Sequence, residues 1–228
     1  MAPVRAQRGR RTLGRRRLAP EEPARERILI AALQVFAERG FDGARTREIA
    51  ERAGANLGLL AYYFDGKEQL WRAAVSRAFD ELGSELGGIL APPDGNGPLE
   101  QRDRLETLLR RFVRFVARRP EFMRFMNDEG KHNGPRMRWL ADHYVKPMAA
   151  ALRQLVERAQ AVGVVPALPT PSLHYIALGA AGLLFSQAPE CAYITGVDPT
   201  SERFAEAHAD AVVRILLGAR PSPDSTRI

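Results

Sequence analysis

Apolar residues recur along almost the whole chain at intervals of three and four, and nowhere do they alternate with polar ones at period two. That spacing predicts helices and no sheet, so the expected fold class is all-α. The breaks between helices are readable from Gly and Pro. A first helix of about 22–39 carries Ile28, Ala31, Ala32, Val35 and Phe36 on one face and stops at Gly40. Two short helices, 46–53 and 57–63, flank Gly54, and a long one runs from Lys67 to about Ile89. The turn-rich APPDGNGP (91–98) marks a domain boundary there or within the helix before it. Beyond it, Leu105, Leu108, Phe112 and Val116 form a stripe ending at Arg119-Pro120. Further helices are expected over 120–132, 136–162, 171–187 and 200–217, about nine in all.

Composition excludes several classes. The longest apolar run, Ile176–Phe185, is ten residues, about half of what a bilayer requires. No apolar h-region follows the basic N-terminus, so no secretory signal is read and a cytoplasmic location is expected. A single cysteine, Cys191, leaves no partner for an intramolecular disulfide and no Cys-based zinc site. Charge is uneven: residues 1–20 hold seven arginines and no acid, which accounts for the whole net charge of +7. This run, including Arg15, Arg16 and Arg17, reads as a disordered arm that contacts DNA, the alternative being a solvated tail.

Two short helices around a tight glycine suggest helix-turn-helix. With Thr46 as position 1, Ile49, Ala53, Ala55, Leu60 and Tyr63 fall at positions 4, 8, 10, 15 and 18 and pack the helices together. Ala50 lets the helices approach, and Gly54 suits a turn with positive φ. Asn56, Leu57, Gly58, Ala61 and Tyr62 then lie on the outer face, with Asn56 as N-cap. Gly58 and Ala61 are poor choices for a solvated surface but suit close approach to another molecule. By this spacing Tyr63 serves the core and Tyr62 faces the DNA.

The run RILIAALQVFAERGFDGARTREIAERAGANLGLLAYYFDGKEQL (27–70) resembles the N-terminal signature of the TetR family of bacterial regulators. The resemblance is carried by the Ile-Leu and Ala-Ala pairs of the first helix, Phe36, Gly40, Ile49-Ala50, Ala53-Gly54, Gly58, Leu60, Phe64 and Lys67-Glu68. Two positions depart from it. Arg45 stands where the family often has a capping Ser or Thr, and Ala61 where Tyr is common. The resemblance implies that Arg45, Thr46 and Arg47 meet phosphates at the start of the second helix. It places Asn56, Leu57 and Gly58 in the major groove, has Tyr62 and Tyr63 donate hydroxyls to phosphates, and makes Lys67 a phosphate clamp. Residues 21–67 contain seven basic and eight acidic residues. The head is therefore not basic overall, which draws attention to the arm.

The expected organisation is an arm (1–20), a helix-turn-helix domain (21–67), a helical effector-binding and dimerisation domain (68–218) and a disordered tail (219–228). In the second domain Phe112, Phe115, Phe122, Met123, Phe125, Met126, Trp139, Tyr144 and Met148 form a cluster of large, adaptable side chains. It reads either as core or, by the resemblance, as an effector cavity. Phe112, Phe115, Met123, Met126 and Trp139 are the expected apolar lining, with Asn127, His143 and Tyr175 as polar groups. The resemblance implies that the last two helices pair two subunits through Ile176, Ala180, Leu184, Val212 and Leu216, the alternative being that these faces complete the core of one protomer. A metal site from Asp128, Glu129 and His132, with Asp142-His143 following, is the competing chemical reading. No His pair has i,i+4 spacing and no nucleophile stands beside a base, so no enzyme, metal or cofactor is expected. Cys191 is expected to be inert. The reading is a homodimeric regulator that binds a palindromic operator and is released by an apolar or amphipathic small molecule. Its alternatives are a constitutive or architectural DNA-binding protein without an effector, and a ligand-dependent activator.

Overall fold

The computed structural model describes residues 23–91 and 97–220, and among them there are helices and no strand. The elements are α1 (Ala24–Gly43), α2 (Thr46–Ala53), α3 (Leu57–Tyr63), α4 (Lys67–Leu90), α5 (Pro98–Arg118), α6 (Pro120–Glu129), α7 (Pro135–Leu140), α8 (Lys146–Ala161), α9 (Thr170–Ser186), α10 (Ala188–Thr195) and α11 (Glu202–Leu217). The arginine arm with Arg15, Arg16 and Arg17, most of the 91–98 linker and nearly all of the tail lie outside the described residues.

α1 is apolar on more than one side. Its expected stripe is buried, and so are Leu29, Ile30 and Leu33 between the stripe positions. A helix needs so wide an apolar arc when it has several partners, and α1 packs against α2, α4 and α6. Helical φ/ψ are interrupted at Gly40 (φ 66°, ψ 173°), a conformation open to glycine but strained for other residues. A Cβ there would also come within 3.3 Å of the Asp128 carboxylate on α6. The glycine thus kinks the helix before its last turn and lets α6 approach.

α4 carries a continuous buried stripe of Leu70, Trp71, Ala74, Val75, Ala78, Phe79, Leu82, Leu86 and Ile89. Its first turns pack on α1, and it also packs on α5 and α8, so one core cluster runs from the helix-turn-helix head into the second domain. Arg77 on α4 ties the elements further, pairing with Glu26 of α1 and with Glu81 (2.9 Å), which also accepts from Arg119 (2.8 Å).

Two segments differ from the sequence reading. The expected helix 136–162 is α7 and α8 joined by a π-helical turn, Ala141–Val145. Pro147 explains it. Proline lacks an N–H and its ring clashes with the carbonyl four residues back, here His143, so the backbone widens before it. The second is α10, which was not expected at all. Its sequence APECAYIT mixes the good formers Ala188, Glu190 and Ala192 with Pro, Cys, Tyr, Ile and Thr, all indifferent or poor ones, and is too short to show a period. Pro189 sits in the first turn, where its missing N–H costs nothing.

α11 is bound to α5 by charge as well as by packing. Arg110 pairs with Asp210 (2.6 Å) and Arg114 with Glu206 (2.5 Å). The buried Arg102 donates to the Leu217 and Gly218 carbonyls (2.5 and 2.7 Å), closing the C-terminus of α11. No described helix is long and apolar enough to cross a membrane.

Candidate nucleic-acid interface

The turn between α2 and α3 is built as its residues require. Gly54 is left-handed (φ 64°, ψ 33°), its amide donating to Glu51 O (3.2 Å), while the Ala55 amide donates to Ala50 O (2.9 Å). Asn56 Oδ1 accepts from the Leu59 amide (2.8 Å) and caps α3. Ile49, Ala50, Ala53 and Leu60 are buried between the helices, as their spacing demands. Gly58 has a local reason to be glycine: a Cβ there would lie 3.3 Å from the capping oxygen of Asn56.

The outer face presents Asn56, Leu57, Gly58, Ala61 and Tyr62, all exposed, with Tyr62 at 80%. Tyr63 departs from the spacing argument. It is 37% exposed and not a core residue. α3 ends at Tyr63, and the next residue, Phe64, is extended (φ −138°, ψ 125°) and fills the core in its place at 4% exposure. The two tyrosine rings meet edge to face at 5.2 Å, so both hydroxyl-bearing rings stand on one ridge.

Arg45 is the N-cap residue of α2 in extended conformation, and no side chain caps that helix end. Its first amides therefore face outward beside the exposed Arg45 and Arg47 and the half-buried Thr46, an arrangement suited to phosphate. Arg52 is directed inward. It forms a bidentate pair with Glu38 (2.6 and 2.8 Å) and reaches Glu48 (3.2 Å), knitting α2 to α1. The hydrogen bond from Arg52 holds the Glu38 carboxyl below its ordinary pKa. Lys67 opens α4, where Nζ donates to Asp42 O (3.2 Å) and lies 4.7 Å from the Phe41 ring centroid.

In the second domain the expected cavity residues are placed unevenly. Phe115 and Met123 are fully buried, and Phe112, Met126 and Trp139 are half-buried against the same core. Aromatic rings there are in contact: Trp71 with Phe125 and Trp139 (5.8 and 5.6 Å), Phe122 with Phe79 and Phe115 (5.3 and 5.2 Å). The three polar candidates do not converge on this cluster. Asn127 is exposed and donates to Ser186 Oγ (3.3 Å), in a polar cleft of about 410 Å³ among α1, α6 and the end of α9. His143 is exposed on the π turn, stacked on Trp139 with Nδ1 2.8 Å from Trp139 O. Tyr175 is 72% exposed on the outer side of α9. Helical spacing gives a face but not its direction, and α9 turns that face outward. The sequence reading placed Tyr144 in the cluster without a polar role, though its hydroxyl donates to Ser76 Oγ on α4 (2.7 Å), and it missed Trp71, whose buried Nε1 has no hydrogen-bond partner among the described residues.

The residues expected to pair two subunits are placed unevenly within the protomer. Val212 is buried within the protomer and Ala180, Leu184 and Leu216 are half-buried, because α9, α11 and α5 pack on one another through them. Ile176 is exposed, and the apolar residues exposed with it are Leu183 on α9, Ile215 on α11 and Tyr193 and Ile194 on α10. Asp128, Glu129 and His132, at and just beyond the end of α6, do not assemble either. Glu129 is buried against Arg136 (3.6 Å), Asp128 faces Gly40 and Lys131, and His132 is exposed. Among the described residues no group of three or more His, Cys, Asp or Glu stands together in a metal-holding arrangement.

Comparison with known proteins matches this architecture in both parts. Residues 28–74 match the model of bacterial regulatory proteins of the tetR family, and residues 102–216 match that of the tetracyclin repressor-like C-terminal domain. The chain is similar to the HTH-type transcriptional repressor NicS of Pseudomonas putida, 30% identical over 61% of this chain and 65% of that protein. It is similar to the HTH-type transcriptional activator FasR of Mycolicibacterium smegmatis, 30% identical over 58% of this chain and 52% of that protein. The chain thus spans between half and two thirds of these two relatives. Its fold resembles the crystal structure of AibR in complex with isovaleryl coenzyme A and operator DNA, with a TM-score of 0.68, 18% identity, and coverage of 87% of this chain and all of that one.

Proposed function

The chain belongs to the tetR family of bacterial regulatory proteins, and from that premise we propose that it is a homodimeric, ligand-released repressor of a palindromic operator. The observation that carries the DNA reading is the outer face of α3. Small residues (Gly58, Ala61), an exposed leucine and a tyrosine ridge occupy a helix whose opposite side is locked to α2. Such a face is costly to solvate and well shaped for a groove. Base edges would be met by Asn56 and Leu57, and phosphates by Arg45, Arg47, Tyr62, Tyr63 and Lys67. On this reading the protein works in the cytoplasm on the nucleoid.

Release by a small molecule is supported by the cluster around Trp71, Trp139 and Phe122. It is apolar, it borders α4, and it contains a buried indole N–H that an effector's carbonyl could satisfy. A ligand that wedges these rings apart would shift α4 and with it the head, a population shift between states of unequal DNA affinity. The close ring contacts favour the second reading, a constitutive DNA-binding protein with a filled core. A thermal-shift screen separates them, because a ligand of the folded state alone raises the melting temperature. Acyl-CoA thioesters, including the isovaleryl-CoA found in AibR, and free fatty acids are the first probes. A compound that both stabilises the protein and releases DNA supports the effector. Failure across apolar and amphipathic libraries supports the constitutive reading.

A further inference from the structure

Phe41 joins the two domains through charge. It follows the Gly40 kink at the end of α1, and two cations from distant parts of the chain lie over its ring. Lys67 Nζ, from the start of α4, is 4.7 Å from the ring centroid, and the guanidinium carbon of Arg136, from the first turn of α7, is 3.9 Å from it. Both distances lie within the range where the negative face of the ring attracts a cation. Behind Arg136 stands the buried Glu129 carboxylate, 3.6 Å away. Arg136 Nε is itself buried with no hydrogen-bond partner among the described residues. The guanidinium is therefore held by the Glu129 charge and by the Phe41 ring. The ring in turn stacks on Phe36 of α1 (5.9 Å) and meets Trp71 edge to face (6.5 Å).

Lys67 has little else to define its position, since among the described residues its Nζ is otherwise bonded only to the Asp42 carbonyl at the head's surface. The ring that carries it is held by Arg136 together with Phe36 and Trp71. Arg136 is on the same short helix as Trp139, which rests on Trp71 and lies under the Arg72 guanidinium (5.1 Å). We propose that Arg136 is a positioning residue for DNA binding, acting through Phe41 to aim Lys67 at a backbone phosphate, so that a residue of the second domain sets a contact made by the head. This rests on Lys67 touching phosphate, and the test separates the two.

The test is a mutant cycle on full-length protein, read as affinity for a mixed-sequence 30-bp duplex over a salt series, with melting temperature followed in parallel. Lys67→Ala is expected to weaken binding roughly tenfold per subunit and to lower the salt slope by about 0.9 per subunit. Arg136→Gln should produce most of the same loss and the same slope change, yet add nothing in the Lys67→Ala background. Arg136→Lys, which keeps a cation over the ring, should restore binding, and Phe41→Leu should behave like Arg136→Gln. Should Arg136→Gln fail to fold because Glu129 is left without its counter-ion, the Glu129→Gln/Arg136→Gln pair removes both charges and is read in its place. Additive losses would show that Arg136 acts on DNA or on stability by itself and would overturn the proposal. So would parental binding by Arg136→Gln when Lys67→Ala is impaired. If Lys67→Ala itself binds like the parent, the phosphate reading fails first and the proposal falls with it.

Discussion

On the proposed reading Asn56 serves the fold and the DNA face at once, and those roles separate by measurement. Its side chain caps α3 through the Leu59 amide, so Asn56→Ala should cost about 1 kcal/mol in chemical denaturation. Asn56→Ser should keep the cap while removing the amide that reads a base. If Ser restores stability but not operator affinity, both roles stand; if Ser restores both, the base contact does not exist. A second residue-scale prediction concerns pH. Burial, partly opposed by Arg119 and Arg124, raises the Glu121 carboxyl above its ordinary pKa. For a raised acid, the folded state favours the neutral form. Its contribution is thus fully present below the ordinary glutamate range and is lost as pH climbs through the raised value. Glu121→Gln should therefore melt higher than the parent at pH 7 to 8, and the difference should disappear by about pH 4. A gap that does not change with pH would contradict the assignment. At this scale the sequence was most legible where chemistry is local, as at Asn56 and Gly54. It misled at Tyr63, since the extended Phe64 that takes the core position depends on where α3 stops.

Among elements, the ones with strong periodicity and Gly or Pro punctuation were legible to within a few residues, α1 through α5 above all. α10 was not, because a short helix of mixed formers is held by its neighbours and leaves no periodic signal. Direction was the other gap. Spacing told that α9 and α11 are apolar, but Ala180, Leu184, Val212 and Leu216 turned inward when three helices packed together. The large apolar side chains left exposed on these two helices include Ile176, Leu183 and Ile215, the last 77% exposed. Exposed apolar area of this kind marks an interface, and the dimer should form there. Ile215→Arg should give a folded monomer in sedimentation, whereas Val212→Ala should lower stability by about 1 kcal/mol or more through lost burial and leave the dimer intact. The reverse outcome would return the interface to the side first expected.

At the scale of the whole molecule, charge and shape divide the work. The head (residues 21–67) has no excess positive charge, while residues 1–20 carry all of it. Proteins that neutralise phosphates lose affinity with salt at about 0.9 log units per contact. If three or four of the seven arginines engage, deletion of residues 2–18 should flatten the salt dependence by roughly three to four units per subunit, with sequence preference largely kept. Unchanged slope would mean that the segment does not touch DNA. The effector site was the least legible part. Large apolar side chains are needed both for a core and for a pocket, and Asn127, His143 and Tyr175, which were to orient a ligand, point to three different surfaces. On the proposed function two copies of the chain read a palindrome through α3. Selection of binding sites from a pool of randomised duplexes with the purified protein checks this. An enriched inverted repeat is expected, with two subunits bound per site and enrichment lost when Asn56 and Tyr62 are both replaced by alanine. Enrichment of no sequence, or of one without two-fold symmetry, would contradict it.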